Sequence, residues 1–210
     1  RDRARTNEPP TSGYINQLVD GCRYALGKSH LRVAIIFGGI GALAGRSVLE
    51  TLPILANGVF GQGPSGLGYM TAAAGAGAVG ASIFKAVSKP QKANEFEPHI
   101  LAMPVVIPLL VASFAMIDEF GTAVGAVALV GASVTLLAIS LQSTVQMAIE
   151  DRYRGRVMGL WTTISIGSGA IGAVLMGVLV DMAGPASAQL LTGLTLAAAS
   201  VLVLSKFRLG

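Results

Sequence analysis

The chain has 210 residues, 52% hydrophobic and only 12% charged, with a mean hydropathy of +0.66 and a formal net charge of +4. That balance lies outside the range of a soluble domain. The basic residues sit beside apolar runs without interleaved aromatics, which excludes nucleic acid as the natural partner and points to anionic lipid head groups, and the single cysteine, Cys22, excludes an intrachain disulfide or a cysteine-based zinc site.

Residues 1–30 are polar and basic, with Arg1, Arg3, Arg5, Arg23 and Lys28, and contain Pro9–Pro10 but no hydrophobic h-region. This is neither a signal peptide nor a plausible natural start, and it reads as a cytoplasmic connector in a fragment of a longer protein. Within it Ile15, Leu18, Val19, Cys22 and Leu26 recur at helical spacing, with Asn16, Gln17, Asp20, Arg23 and Lys28 on the polar side. The pattern predicts an amphipathic helix, lying either on the inner membrane surface or against the cytoplasmic ends of the spans.

Residues 31–210 form the membrane domain. Its apolar runs lie at about residues 31–56, 66–87, 99–117, 121–149, 157–180 and 185–205. Each reaches or nearly reaches the roughly 20 residues a helix needs to cross the hydrocarbon core. Backbone polar groups in lipid must be paired internally, so these runs are expected as helices, and the short alternating segments of a β-barrel are absent. The expected fold is therefore an all-α polytopic bundle of six transmembrane helices.

The first run carries Arg46 and Glu50, an expensive pair near mid-membrane. At a spacing of four they share a helix face and partly neutralise each other. Pro53 follows and is expected to kink the helix and free the carbonyl of Leu49. A charge pair beside a kinked backbone suits the lining of a substrate or proton pathway; a structural salt bridge to a neighbouring helix is the other reading. Gly41–Gly45 in this run, Gly75–Gly80 in the second, Gly121–Gly125 in the fourth and Gly167–Gly172 in the fifth supply small residues for close helix approach. Two of these stretches satisfy G-x-G-x-x-G, but inside apolar runs they lack the strand and βαβ context of a nucleotide site. The third run has Pro104 and Pro108, a second expected kink.

The fourth run carries Gln142 and Gln146 on one face, expected to meet another helix or an aqueous cavity. The connection to the fifth run, 150–159, is short and mixed in charge: Glu150, Asp151, Arg152, Arg154 and Arg156. Its arginines can bond helix-terminal carbonyls while its carboxylates reach a neighbouring loop, which would make a cytoplasmic gating latch rather than an orientation signal alone. Tyr153 and Trp161 read as interfacial aromatics. His30 and His99 are too isolated for a metal site, and neither a cofactor motif nor a nucleophile or paired catalytic carboxylates support an enzyme.

All but one of the fifteen Lys and Arg residues fall in four segments: Arg1 to Arg32, Lys85 with Lys89 and Lys92, Arg152 to Arg156, and Lys206 with Arg208. The turns at 57–65, 118–121 and 181–184 carry none, but hold Asp118, Glu119 and Asp181. By the positive-inside rule the basic segments and both termini are cytoplasmic, in a cell inner or plasma membrane.

Arg46 through Pro53, the Gly66-Leu-Gly68 opening of the second run, Asp151-Arg-Tyr-Arg-Gly-Arg-Val157 and Gly177-Val-Leu-Val-Asp181-Met-Ala-Gly184 resemble the C-terminal half of a major facilitator superfamily transporter, nearest the enterobactin-exporter and macrolide-efflux branch. The resemblance covers nearly the whole chain. It implies helices seven to twelve, packed as two inverted three-helix repeats, with an N-terminal six-helix half as partner and proton-coupled export of a small molecule by alternating access. The turn after Gly80 lacks the acidic residue of the family's cytoplasmic loop signature. The competing expectation is a non-transporting membrane module that binds a partner or self-associates through its Gly-rich faces.

Overall fold

The computed structural model describes residues 14–88 and 98–208. Arg1, Arg3, Arg5 and Pro9–Pro10 of the connector, and Lys89 and Lys92 of the second basic segment, lie outside the described residues. The chain is an all-α bundle, with no strand among the described residues: α1 (Tyr14–Gly27), α2 (Ser29–Ile54), α3 (Gly63–Val87), α4 (Pro98–Ser113), α5 (Phe120–Ala148) and α6 (Arg154–Arg208). Among the described residues Ser29–Val59, Gly63–Val87, Phe120–Ala148 and Asp151–Lys206 are long and apolar enough to cross a membrane, and Ile100–Met116 is a shorter apolar helix. This is a multi-pass membrane protein.

Breaks in the helices follow from local chemistry. Pro53 lies inside α2, and two residues beyond it the ladder loosens into a π-turn, Leu55–Val59, closed by the Phe60 amide donating to the Leu55 carbonyl at 2.9 Å. Gly61 and Gly63, both at φ 62°, then reverse the chain within three residues, a tighter turn than the 57–65 expected. The turn expected at 181–184 shrinks further, to Gly184 alone. Its φ of 80° and ψ of 164° lie in a region only glycine occupies comfortably, and the extended ψ is what the following Pro185 demands. Gly184 thus divides α6 into a first arm, 154–183, and a second arm, 185–208.

The packing partners give the directions. Along α2, Gly38 meets Trp161 and Leu43 meets Gly172, so the first arm of α6 runs parallel to α2. Gly41 meets Leu137 and Gly45 meets Val134, so α5 runs antiparallel to it. The second arm runs antiparallel to α4: Gly193 abuts Pro108 and Ala112, while Ser200 reaches back to Pro104. That last contact answers a deficit. Pro108 has no N–H for the Pro104 carbonyl four residues earlier, and the Ser200 hydroxyl donates to that carbonyl at 2.6 Å. Helix α2 sits at the centre, with Leu31, Phe37, Val48 and Leu52 buried.

The bundle sorts its charges by end. The start of α2, α1 and the connection from α5 to α6 meet at one end, with Arg23, Lys28, Arg152, Arg154 and Arg156. At the other end, Phe60 packs edge-on against Phe120 at 5.9 Å between ring centroids, beside Asp118 and Glu119.

Glycine enables the closest contacts, at some of the expected positions and not others. A Cβ at Gly77 would collide with the Ala128 carbonyl of α5, and one at Gly131 with the Ala74 carbonyl of α3. Gly75, Gly80, Gly125 and Gly167 face open space within the described chain. Because backbone atoms cannot step aside, Gly131→Leu is expected to destabilise the bundle by about 3 kcal/mol through overpacking. Gly125→Leu is expected to be near neutral, and thermal unfolding in detergent distinguishes the two.

Candidate functional site

The small residues that draw the helices together also leave space between them. A cleft of about 590 Å³ lies among α2, α3, α5 and the first arm of α6. Gly75, Gly131 and Gly169 contribute no side chain to fill it, and Arg46, Thr135 and Ser165 are its polar lining. The Arg46 stem lies against Gly169, and its Nε pairs with Glu50 Oε1 at 3.0 Å, within the same helix. Both side chains are about half exposed, at 54% and 43%. Neither carboxylate nor guanidinium bonds a second helix in this pair, so the ion pair itself fastens nothing.

Gln142 and Gln146 are both exposed and lie outside the cleft lining. They are seven and eleven residues beyond Thr135, close to two and three whole turns, so they continue its stripe about 10 and 16 Å further along α5. The cleft, with Arg46 on its wall, thus lies between the helices, and the two glutamines stand on an exposed stretch further along α5.

Which kind of membrane protein carries this cleft is decided by the sequence comparison. The family model described as transmembrane secretion effector, of the major facilitator type, matches residues 1–210. The chain belongs to that family. Comparison with curated proteins and with solved structures gives no match. Membership in the secretion effectors places the chain among membrane transport proteins and points away from an enzyme. Among the described residues no group of three or more His, Cys, Asp and Glu side chains could hold a metal ion.

A second polar constellation joins α1 to the connection between α5 and α6. Lys28 Nζ lies 3.0 Å from Glu150 Oε1 and donates to Tyr24 Oη at 2.7 Å. The Tyr24 hydroxyl donates to Glu150 Oε1 at 3.2 Å and accepts the Glu150 amide at 3.3 Å. The Tyr24 ring stacks on Tyr153 with centroids 4.2 Å apart, Lys28 lies over the Tyr24 ring, and Arg152 lies over the Tyr153 ring and bonds its hydroxyl. These contacts shift the ionisations. The hydrogen bonds that Lys28 donates to Tyr24 and then Glu150 raise its pKa, those that Glu150 accepts from Lys28 and Tyr24 lower its own, and Tyr153 raises that of Arg152.

The other members of this connection pair locally or pack on α1. Arg154 pairs with Asp151 at 3.0 Å within one turn, and Arg156 presents its Cβ to Gly21 of α1. With Gly21 and Ala25 buried, α1 is docked on the bundle through these small residues, while Leu26 of the expected apolar stripe is 52% exposed. Trp161 is also not the interfacial aromatic expected: it is 7% exposed, and its ring fills the space that Gly38 leaves.

Sequence reading missed the buried polar residues of the second arm. Gln189 is fully buried, and its Nε2 donates to Thr51 Oγ1 of α2 at 3.0 Å. The signal was present in the spacing: Gln189, Gly193, Ala197 and Ser200 form one small and polar stripe at helical period, and all four are buried.

Proposed function

We propose that this chain is the C-terminal half of a proton-coupled exporter of a small molecule, working by alternating access in a cell inner or plasma membrane. The observation that carries the reading is the cleft among α2, α3, α5 and the first arm of α6, with Arg46 on its wall. Counting the two arms of α6 separately gives six crossings from α2 onward. At 1.5 Å per residue the 55 residues of α6 would extend about 80 Å, far more than the roughly 30 Å hydrocarbon core, which favours one crossing per arm.

Inverted three-helix repeats would exchange α2, α3 and α4 with α5, the first arm and the second arm. That exchange turns the pairing of α2 with the first arm into the pairing of α5 with α3, and returns the α4 pairing with the second arm to itself. All three pairings occur in the bundle, which supports the repeat. The basic end, with Lys28, Arg152 and Arg154, is the cytoplasmic one in this reading, and both termini lie there. An N-terminal six-helix half would close the cleft, because an alternating-access site forms between two halves. Within the family, the sequence resemblance favours the enterobactin and macrolide export branch.

The intact gene should therefore encode six further spans upstream of Arg1. Cells expressing it are expected to resist, and to accumulate less of, some members of a drug and siderophore panel, with the protection lost when a protonophore collapses the gradient. A protein with an initiator Met close upstream, and with no effect on accumulation across the panel, would instead be a partner-binding membrane module.

A further inference from the structure

The second arm of α6 is tied to its neighbours at two levels, and the ties differ. At the inner level the Ser200 hydroxyl meets the Pro104 carbonyl, and both groups are satisfied. At the outer level Gln189 meets Thr51, and the match is incomplete. The Thr51 hydroxyl points its one proton at the Val48 carbonyl, 2.8 Å away, with the Ser47 carbonyl at 3.2 Å. Its oxygen can then only accept, so the amide of Gln189 must present its NH2 group. The other end of that amide, Oε1, is buried and has no hydrogen-bond partner among the described residues.

A buried carbonyl oxygen left without a donor costs more than an average completed bond returns. A methionine of similar length would fill the same volume at no such cost. The load sits between two breaks in the helical ladders. Thr51 is two residues before Pro53 and just ahead of the π-turn Leu55–Val59, and Gln189 is five residues past the Gly184 break. A small rotation of either segment moves Thr51 relative to Gln189, whereas the satisfied Ser200 tie holds the inner level in place.

We propose that Gln189 is a positioning residue for the movement of the outer part of α2, its unmet Oε1 gaining a donor only in a second arrangement of that segment. The described arrangement is thereby kept from becoming too stable to leave. This proposal rests on the reading of the chain as an alternating-access transporter, and it concerns how that cycle is poised.

The test uses the intact transporter in proteoliposomes, comparing wild type with Gln189→Met and Thr51→Val by amide hydrogen exchange, thermal unfolding and efflux kinetics. Gln189→Met removes the unmet oxygen, so its melting temperature should be unchanged or raised and exchange over residues 49–59 should slow about fivefold. Its turnover should fall about tenfold with half-saturation changed less than about twofold. Thr51→Val leaves both ends of the amide unmet, so exchange over 49–59 should quicken. If exchange over 49–59 is unchanged or faster in Gln189→Met, or unchanged in Thr51→Val, the proposal is overturned, whether or not wild type transports. Wild type that moves no substrate would refute the transport reading separately, with the exchange data still deciding the role of Gln189. Should Gln189→Met fail to fold, the amide is a plain structural support and the proposal falls.

Discussion

Replacing Arg46 with alanine in the intact transporter is expected to cut efflux at least about 100-fold while insertion and abundance stay near wild type. The geometry separates the two effects. Arg46 lines the cleft, is about half exposed, and bonds Glu50 on its own helix rather than a neighbouring one. Truncating it opens no buried cavity and breaks no tie between helices, so the direct cost to folding is that of an exposed pair, about 0–1 kcal/mol. What it does leave is Glu50 as a lone anion within the span, and because that side chain is about half exposed its cost falls below the roughly 2.5–3.5 kcal/mol of a charge at a helix centre. Arg46→Ala combined with Glu50→Gln should therefore restore any lost abundance without restoring efflux. Efflux assays on inverted vesicles, normalised to the transporter content, measure both. If Arg46→Ala removes the folded protein, and the double variant recovers both folding and efflux, the pair is a structural bridge and the pathway lies elsewhere.

How much of this could be read from the residues depends on how far each interaction reaches. The apolar runs were legible because lipid imposes a length on every crossing and forbids unpaired backbone. The break at Gly184 was legible because Gly-Pro after a helix leaves few conformations open. The Arg46–Glu50 pair was legible because a spacing of four on a helix fixes the neighbours. Glu150 and Lys28 stand 122 positions apart, and no local rule joins them. Tyr153, read as an interfacial ring, stacks on Tyr24 for the same reason. Gln142 and Gln146 stood out by polarity and a shared helix face, and they are exposed in this chain, while the glutamine that is fully buried, Gln189, lies in a run where small neighbours disguise it. Likewise the glycine motifs gave the places where helices could approach; only tertiary packing selects Gly77 and Gly131, leaves Gly75 on the cleft wall and leaves Gly80 without a close neighbour.

The docking of α1 carries the other large effect. Glu150→Lys sets a cation beside Lys28 and removes the acceptor that holds the Tyr24 hydroxyl, so α1 should detach from the bundle end. Trypsin then gains access at Arg23, and in the intact transporter the efflux rate should fall about tenfold with half-saturation changed less than about twofold. The reversed pair, Lys28→Glu with Glu150→Lys, should restore both protection and rate. Neutralising Arg152, Arg154 and Arg156 together should act in the same direction, since Arg152 caps the Tyr153 ring and Arg156 packs on Gly21. The pH dependence has a definite sign. The Glu150 pKa is lowered, so its share of docking is present above the ordinary carboxylate range and lost only as pH falls through the depressed value. The Lys28 pKa is raised, so its share is present below the ordinary lysine range and lost only as pH climbs through the elevated value. Protease protection of α1 should accordingly be flat across neutral pH, where trypsin reads it, and fail first in acid, where pepsin reads it, below the pH at which a free carboxylate protonates. Protection that titrates near neutrality, or that survives Glu150→Lys, would mean that the packing of Gly21 and Ala25 holds the helix without the latch.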